Sequence, residues 1–508
     1  MTYSSISVLA LTTLVLQHLQ SAAEQSAKPC VLLREQVTAL TTRFLSAPPT
    51  PASTLEFETS LLHLLTECGR LIVEDVLNHI EPETPREAPK HSQRDGQDYS
   101  RKNEKSRNRG GIATLFGTIE LRRCLYEPLQ EARDDQRLSF SPLELCLGII
   151  VGTATPALAE RVARLSSRNT QQEMLAILKR ENGVDWSIKS LREVTGAVSA
   201  GIQPYLRKAQ LQALLAWLAE ANKSRGRGRI VLAVGRDGIL LPMRNEPHQK
   251  EAGVATISVH DRAGRRLGTI YQGEMPQEHQ VRLSTELTAL LQDVLKQWEG
   301  PMPELLYLTD AGYQQTVYYE NVLMPMEDPR RPGNRLDWKW IVDFYHAASY
   351  VTKLAKVLFT EEGHRKGWAR RMRHLMRDEE NGVMRLLQSA AQYHGMKSWS
   401  EEEEKEYESA YNYLLNHSPM MKYHEHKKKG WPIGSGVTEA GCKVVFTQRF
   451  KQSGMTWGPS GGEVVLRLRL AVLSGVWDQV FRDFLDHLPV VHVATRIPFL
   501  LPPDRNAA

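Results

Sequence analysis

Residues 230–243, IVLAVGRDGILLPM, are a run of branched apolar side chains broken by Arg236, Asp237 and Gly238. A short apolar run bounded by turn formers reads as a buried strand, with Asp237 at or near its end where the chain turns. Downstream, GVATISVHD (253–261) and RRLGTIYQG (265–273) repeat this texture, and a helix is expected at about 279–298. ELLYLTDAG (304–312) is then another strand, with Asp310 at its end before Ala311 and Gly312. Three strands, a helix and a further strand describe an α/β domain built on a mixed sheet.

The next stretch, DWKWIVDFYHAASYVTKLAKVLF (337–359), reads as a short strand running into a helix. From about 360 to 428 the chain is helical and strongly charged, as expected of an inserted helical subdomain. Upstream, ANKSRGRGR (221–229) is a polar, glycine-bearing boundary. Before it, SRNTQQEMLAILKRENGVDWSIKSLREVTGAV (167–198) reads as a helix, a turn at Asn182-Gly183, and a second helix from about Ser187 carrying Lys189 and Arg192. This pair suits a helix-turn-helix on DNA and equally suits plain helix packing. ATLFGTIELRRCLYEP (113–128) alternates around Ile119, Leu121 and Leu125 as a small β element. Residues 81–111 lack apolar periodicity and end in a basic cluster, as a solvated linker does.

The N-terminal part is helical, with Leu55, Leu61, Leu62, Leu65, Cys68, Ile72, Val76 and Ile80 largely on one face and prolines at 48–51 dividing two pieces. The first 25 residues hold a short apolar run and small residues near Ala22 and Ala23, as a secretory leader does. No Lys or Arg precedes that run, and its near-helical spacing favours an amphipathic helix. The expected layout is a helical domain over 1–85, a basic linker over 86–111, and a small β element with a helical, helix-turn-helix-compatible DNA-binding domain over 112–222. An α/β domain follows from 228–358 and 430–485, with a helical insertion at 359–429 and a C-terminal tail at 486–508.

A chain of 508 residues with 41% hydrophobic content suits two to four domains. Its 64 basic and 59 acidic residues give only +5, which permits a polyanionic partner without demanding one. Cys30, Cys68, Cys124, Cys146 and Cys442 are odd in number and form no C-x-x-C pair, so a disulfide framework is not indicated and a reducing cytoplasm fits. No apolar stretch approaches the ~20 residues a membrane span needs.

A lone Asp at a strand end is usually a turn former. Two of them on neighbouring core strands repel each other unless a cation neutralises them. Magnesium meets that need, being hard, oxygen-seeking and commonly held by one or two carboxylates plus substrate phosphates. Two such ions roughly 4 Å apart serve in-line phosphoryl displacement. The third acid is Glu439, in GWPIGSGVTEAGCKVVFTQRFKQSGMTW (430–457). Pro432, Gly434, Ser435 and Gly436 make a tight loop, and Glu439 falls in the first turn of the helix that follows. It reads as a capping glutamate or, because Lys443, Arg449 and Lys451 follow on the same element, as an acid beside a metal-bound phosphodiester.

The motifs GRDG, LTDAG, DFYH and PIGSGVTEAGCK followed by QRFKQSGMTW resemble the transposases of ISKra-type bacterial insertion sequences, members of the DDE superfamily, over roughly residues 110–480. The resemblance implies a ribonuclease-H-like α/β catalytic domain, a mixed sheet flanked by helices, with a helical insertion and mainly α N-terminal domains before it. It implies a triad of Asp237, Asp310 and Glu439 holding two Mg²⁺ or Mn²⁺ ions, and cleavage and strand transfer on double-stranded DNA at element ends. A homodimer or higher oligomer on DNA, in the bacterial cytoplasm with the nucleoid and away from membranes, goes with that activity.

Asp343 and His346 form a D-x-x-H pair similar to a DDE-branch signature, which implies that they shape the site or touch DNA near the cut. A buried, hydrogen-bonded histidine among Phe344, Tyr345 and Tyr350 is the alternative. Lys427, Lys428 and Lys429, just ahead of the glutamate loop, together with Ser435, Lys443, Arg449, Lys451 and Trp457, are candidates for DNA contact or site shaping. Arg365, Lys366, Trp368, Arg370, Arg371 and Arg373 suit a DNA backbone or a splayed base, or a solvated helix face. Family members often carry a cysteine pair after the segment matching GTIELRRCLYEP. This chain has Cys124 and then none until Cys146, so structural zinc is not expected. A nuclease of the same fold, and a DNA-binding regulator that kept it, are the other readings.

Overall fold

The computed structural model describes residues 29–489 apart from 95, 130–138 and 397. The expected leader-like or amphipathic segment before residue 29, and most of the tail at 486–508, lie outside the described residues. The chain forms two compact units, one of residues up to Val198 together with those from Phe484 onward, the other Ser199–Asp483. No described helix is long and apolar enough to cross a membrane.

In the first unit a helix reaching residue 45 is followed by α1 (Pro51–Asn78), opened by Thr50, whose side chain and that of Ser53 cap each other's backbone N–H. Residues 86–111 are not a solvated linker. His91–Arg94 pairs antiparallel with Gln97–Arg101, which pairs with Tyr126–Pro128. Ala88 and Tyr99 enter a small core with Cys124, Tyr126 and Phe140. Such strands bury at most one side chain each, too few for apolar alternation to register in a polar sequence. Helix α2 (Gln171–Asn182) starts at a Thr170/Glu173 capping box and ends on Gly183, left-handed at φ 63°. Helix α3 (Ile188–Lys223) follows and runs for 36 residues. The division between units falls inside α3 rather than at the glycine-bearing stretch 221–229, because a continuous helix carries the chain from one core into the other.

The second unit is organised by five strands: β1 (Val231–Leu241), β2 (Lys250–His260), β3 (Arg266–Glu274), β4 (Glu304–Thr309) and β5 (Trp338–Val342). Their order is β3-β2-β1-β4-β5. The first three are antiparallel, β4 runs parallel to β1, and β5 runs parallel to β4. Strand β1 does not end at Asp237. It continues to Leu241, with Asp237 opposite Val254 of β2, whereas its pairing with β4 stops at Leu308 opposite Gly235. Asp237 therefore lies just past the point where β4 leaves the sheet, at a notch in one edge of a strand that is still fully paired on the other.

Helix α4 (Val281–Gln297) follows β3, and α5 (Phe344–Leu358) follows β5. The insertion consists of α6 (Glu362–Asp378), α7 (Gly382–His394), α8 (Glu401–His417) and α9 (Tyr423–Lys428). It is not a separate subdomain. Trp368, Leu386, Leu414 and Tyr423 share one continuous core with Val231, Leu306 and Ile341 of the sheet and with Val351 and Leu354 of α5. Burial of Trp368, whose indole N–H donates to Ser389 Oγ at 3.1 Å, removes it as a platform for a base. Arg370, Arg371 and Arg373 stay exposed, as charged positions on the outer face of an amphipathic helix do.

Candidate active site

Helix α10 (Gly436–Cys442) carries Glu439 and crosses β1 and β2 closely enough that one glycine is obligatory. A Cβ on Gly235 would stand 1.9 Å from Thr438 Oγ1 and 3.1 Å from the carbonyl oxygen of Leu308. With that hydrogen in place of a methyl, the Thr438 hydroxyl reaches Thr256 Oγ1 of β2 at 2.7 Å and pins the helix to the sheet. Behind α10 the chain widens into a π-helical turn, Lys443–Thr447, before Gln448–Phe450. Its apolar side, Val445, Phe446 and Phe450, packs with Leu241, Val254 and Leu466.

Asp237, Asp310 and Glu439, from three elements far apart in the chain, line one cavity of about 260 Å³ with Asp343, Tyr345, His346, Ser349 and Ser435. Asp310 follows the last residue of β4 and accepts the Gly312 N–H at 3.0 Å, while its own carbonyl receives the Tyr413 hydroxyl of α8 at 2.7 Å. Asp237 accepts from the Gly238 N–H at 2.7 Å through Oδ1 and from the Cys442 thiol at 3.2 Å through Oδ2. Burial pushes the Asp237 carboxyl up to about 6; those two hydrogen bonds act against the rise, and the charges of Asp310 and Glu439 add to it. Burial, then the neighbouring Asp237, likewise push the Cys442 thiol far above its usual range, so it stays a donor. Arg236 also borders the cavity, but its guanidinium donates to Ser284 and Gln280 and lies 4.4 Å over the Tyr318 ring.

Asp343 is placed differently. It is 3% exposed and caps α5, Oδ1 accepting from the His346 N–H at 2.6 Å and Oδ2 from the Ser435 N–H. Phe344 N–H also donates to Ile433 O at 2.9 Å, so β5, α5 and the glutamate loop meet at one corner. Half of the D-x-x-H pair is thus a clamp on the Gly434-Ser435-Gly436 loop. The other half, His346, is half-buried on the cavity wall, its ring 5.4 Å from Tyr350 and 5.7 Å from Tyr413.

The remaining sequence candidates separate. Lys443 and Lys451 are exposed, but Arg449 is 2% exposed, lies over the Trp457 ring at 5.1 Å and donates to Met455 Sδ at 3.7 Å. The wider π turn before it rotates later residues relative to Glu439, turning Arg449 inward. Trp457 is a packing residue, its indole N–H donating to Phe450 O at 3.0 Å and its ring 4.5 Å from Phe450. Both side chains are engaged within the protein, Arg449 buried and Trp457 half-buried. Lys427, Lys428 and Lys429 are exposed on and just after α9, Lys427 paired with Asp378 and Lys429 4.5 Å over Trp431. None of the three lines the cavity.

Among the described residues no three His, Cys, Asp or Glu side chains close on a single ion position. An all-oxygen set of spaced carboxylates fits instead ions held by one or two carboxylates each, with water and phosphate oxygens filling an octahedron. Cys442 was missed as a site residue, although its position three residues after Glu439 on a helix puts both on one face.

No family model matches the chain. It is 24% identical over 386 residues, 73% of this chain and 74% of the relative, to a UPF0236 protein in the vanSb 3′ region of Streptococcus gallolyticus, a designation that states a genomic location and no activity.

Proposed function

We propose that this chain is a DNA transposase of the DDE type, with a ribonuclease-H-like catalytic domain, cutting and joining DNA strands with Mg²⁺ or Mn²⁺ at Asp237, Asp310 and Glu439. The observation that carries the reading is the convergence of these three carboxylates on one cavity, each delivered by a different element of a five-stranded mixed sheet and its crossing helix. The same three residues are those that the resemblance to ISKra-type transposases marks.

The chemistry such ions supply when bound is activation of the attacking oxygen and stabilisation of the leaving oxygen at a phosphodiester. The chain's part is to hold and release. Asp237 would hold a cation in its ionised form, which burial delays until about pH 6 in the ion-free protein, so binding there would be favoured as pH rises through that value. Asp343 holds the Ser435 N–H and so fixes the loop from which Glu439 rises. Exposed Lys443, directly after the Glu439 helix, and Lys427, Lys428 and Lys429 supply positive charge for the duplex backbone. Two element ends have to be joined, which calls for at least two copies of the chain, in the bacterial cytoplasm where such DNA resides.

The test is cleavage and joining of DNA carrying the ends of the element that encodes the chain. Metal-dependent nicking and joined products are expected from the wild type, and neither from Asp237→Ala, Asp310→Ala or Glu439→Ala. Cleavage without joined products would make it a nuclease, and sequence-specific binding without metal-dependent chemistry a regulator.

A further inference from the structure

We propose that Cys442 is a positioning residue for metal binding, its thiol fixing Asp237 against Glu439 before any ion arrives. The proposal rests on the carboxylate site described above. Asp237 sits on a strand and Glu439 on a helix, and ions shared between them require a set separation. Among the described residues, a direct polar link between that helix and the Asp237 carboxylate is the Cys442 Sγ–H donating to Asp237 Oδ2 at 3.2 Å. Cys442 is 7% exposed and three residues beyond Glu439, so the side chain that grips Asp237 shares a helix face with the third acid. The Thr438–Thr256 hydroxyl pair at 2.7 Å ties the helix to β2 but leaves the rotation of the Asp237 carboxylate free. Gly238 N–H holds Oδ1 at 2.7 Å, so only with the thiol on Oδ2 are both oxygens oriented.

The choice of donor matters. A Lys or Arg here would neutralise the carboxylate and compete with the cation. A thiol is a weak donor, and a carboxylate oxygen has a second lone pair, so Asp237 is oriented while its charge remains available to an ion. Outer-shell partners of metal-binding carboxylates act in this way, and losing one typically weakens metal affinity by about 10–100-fold. Cys442 thereby has a role unrelated to redox chemistry or zinc.

The experiment measures Mn²⁺ binding to the full-length protein by titration calorimetry, with thermal unfolding in EDTA alongside. Cys442→Val fills the same space without a donor, and Cys442→Ser restores a donor. Expected are an affinity about tenfold or more weaker for Cys442→Val, recovery by Cys442→Ser to within about threefold of wild type, and unfolding midpoints that do not track the affinities. DNA cleavage at limiting Mn²⁺ should follow the same order, with saturating Mn²⁺ rescuing Cys442→Val. Cys442→Val binding Mn²⁺ as tightly as wild type would overturn the proposal and leave the carboxylate site standing. Cys442→Ser binding as weakly as Cys442→Val would overturn it too, by showing that packing rather than the hydrogen bond is what counts. A wild type whose Mn²⁺ binding is absent, or is unaffected by Asp237→Asn, would remove the carboxylate site and this proposal together.

Discussion

Two aspartates on the wall of one cavity, Asp237 and Asp343, are held in opposite ways. Asp343 spends both oxygens on backbone N–H groups, those of His346 and Ser435, and is nearly inaccessible. Asp237 accepts from its neighbour's N–H and from a thiol, is only partly buried, and faces two further carboxylates. The first arrangement consumes a charge to fix backbone; the second leaves a charge underused. A buried carboxylate held on both oxygens by backbone N–H groups acts as scaffold, whereas one set against like charges is the one a cation would relieve.

Substituting each aspartate should separate these roles. Asp237→Asn should lower DNA cleavage by at least about a thousandfold, the several kcal/mol that metal activation of a phosphodiester supplies, while leaving unfolding in EDTA unchanged or slightly more favourable to the native state. Asp343→Ala should do the reverse in emphasis: about 2–3 kcal/mol lost in urea unfolding, from a missing helix cap and an orphaned Ser435 N–H, with cleavage reduced through a loosened loop. Equal losses of stability from both substitutions would erase the distinction.

The approach of the Glu439 helix to β1 can be probed through Gly235. Gly235→Ala places a methyl 1.9 Å from Thr438 Oγ1, against backbone on the other side, and should cost about 1–3 kcal/mol in urea unfolding while weakening Mn²⁺ binding. An unchanged unfolding curve would mean that the helix is free to lift from the strand.

The smallest effect expected is a pH dependence. The Asp237 carboxyl goes from an ordinary value of 3.8 when unfolded to about 6 in the folded, ion-free protein. Between those values the native state holds the extra proton, so stability in EDTA should fall as pH rises from 4 to 6, by about 2 kcal/mol at most. Asp237→Asn should flatten that segment of the stability profile. A profile of the same slope in both proteins would assign it to other groups.

Much of the second unit was legible in the sequence. Branched apolar runs at 230–234, 254–259 and 305–308 mark buried strands whatever their partners, and the strand, helix, strand succession calls for a mixed sheet. The two aspartates stand out because each interrupts or follows such a run, and the glycine-rich loop before Glu439 is unusual enough to read alone. The strands near residues 91–107 escaped because only Ala88 and Tyr99 there reach a core, and their partners Tyr126 and Phe140 come later in the chain. Arg449 and Trp457 looked like ligands for DNA because residue type says nothing of which way a helix has turned. The insertion looked separate because its charge is conspicuous, while the apolar residues that weld it to the sheet are scattered among arginines.

The sequence by itself determined the elements and the chemical inventory: β-branched runs for strands, amphipathic spacing for helices, and three acids in distinctive local settings. Those are consequences of local sterics and hydrophobic periodicity, which need no knowledge of distant residues. Only the tertiary structure decided that Asp237 lies within a strand rather than at its end, that Asp343 is a cap, that Arg449 is buried, and that a cysteine grips the first carboxylate. These depend on where β4 stops pairing, on the phase shift of a π turn and on an approach allowed by Gly235. Contacts between residues some two hundred positions apart are fixed by packing geometry, and no local pattern encodes them.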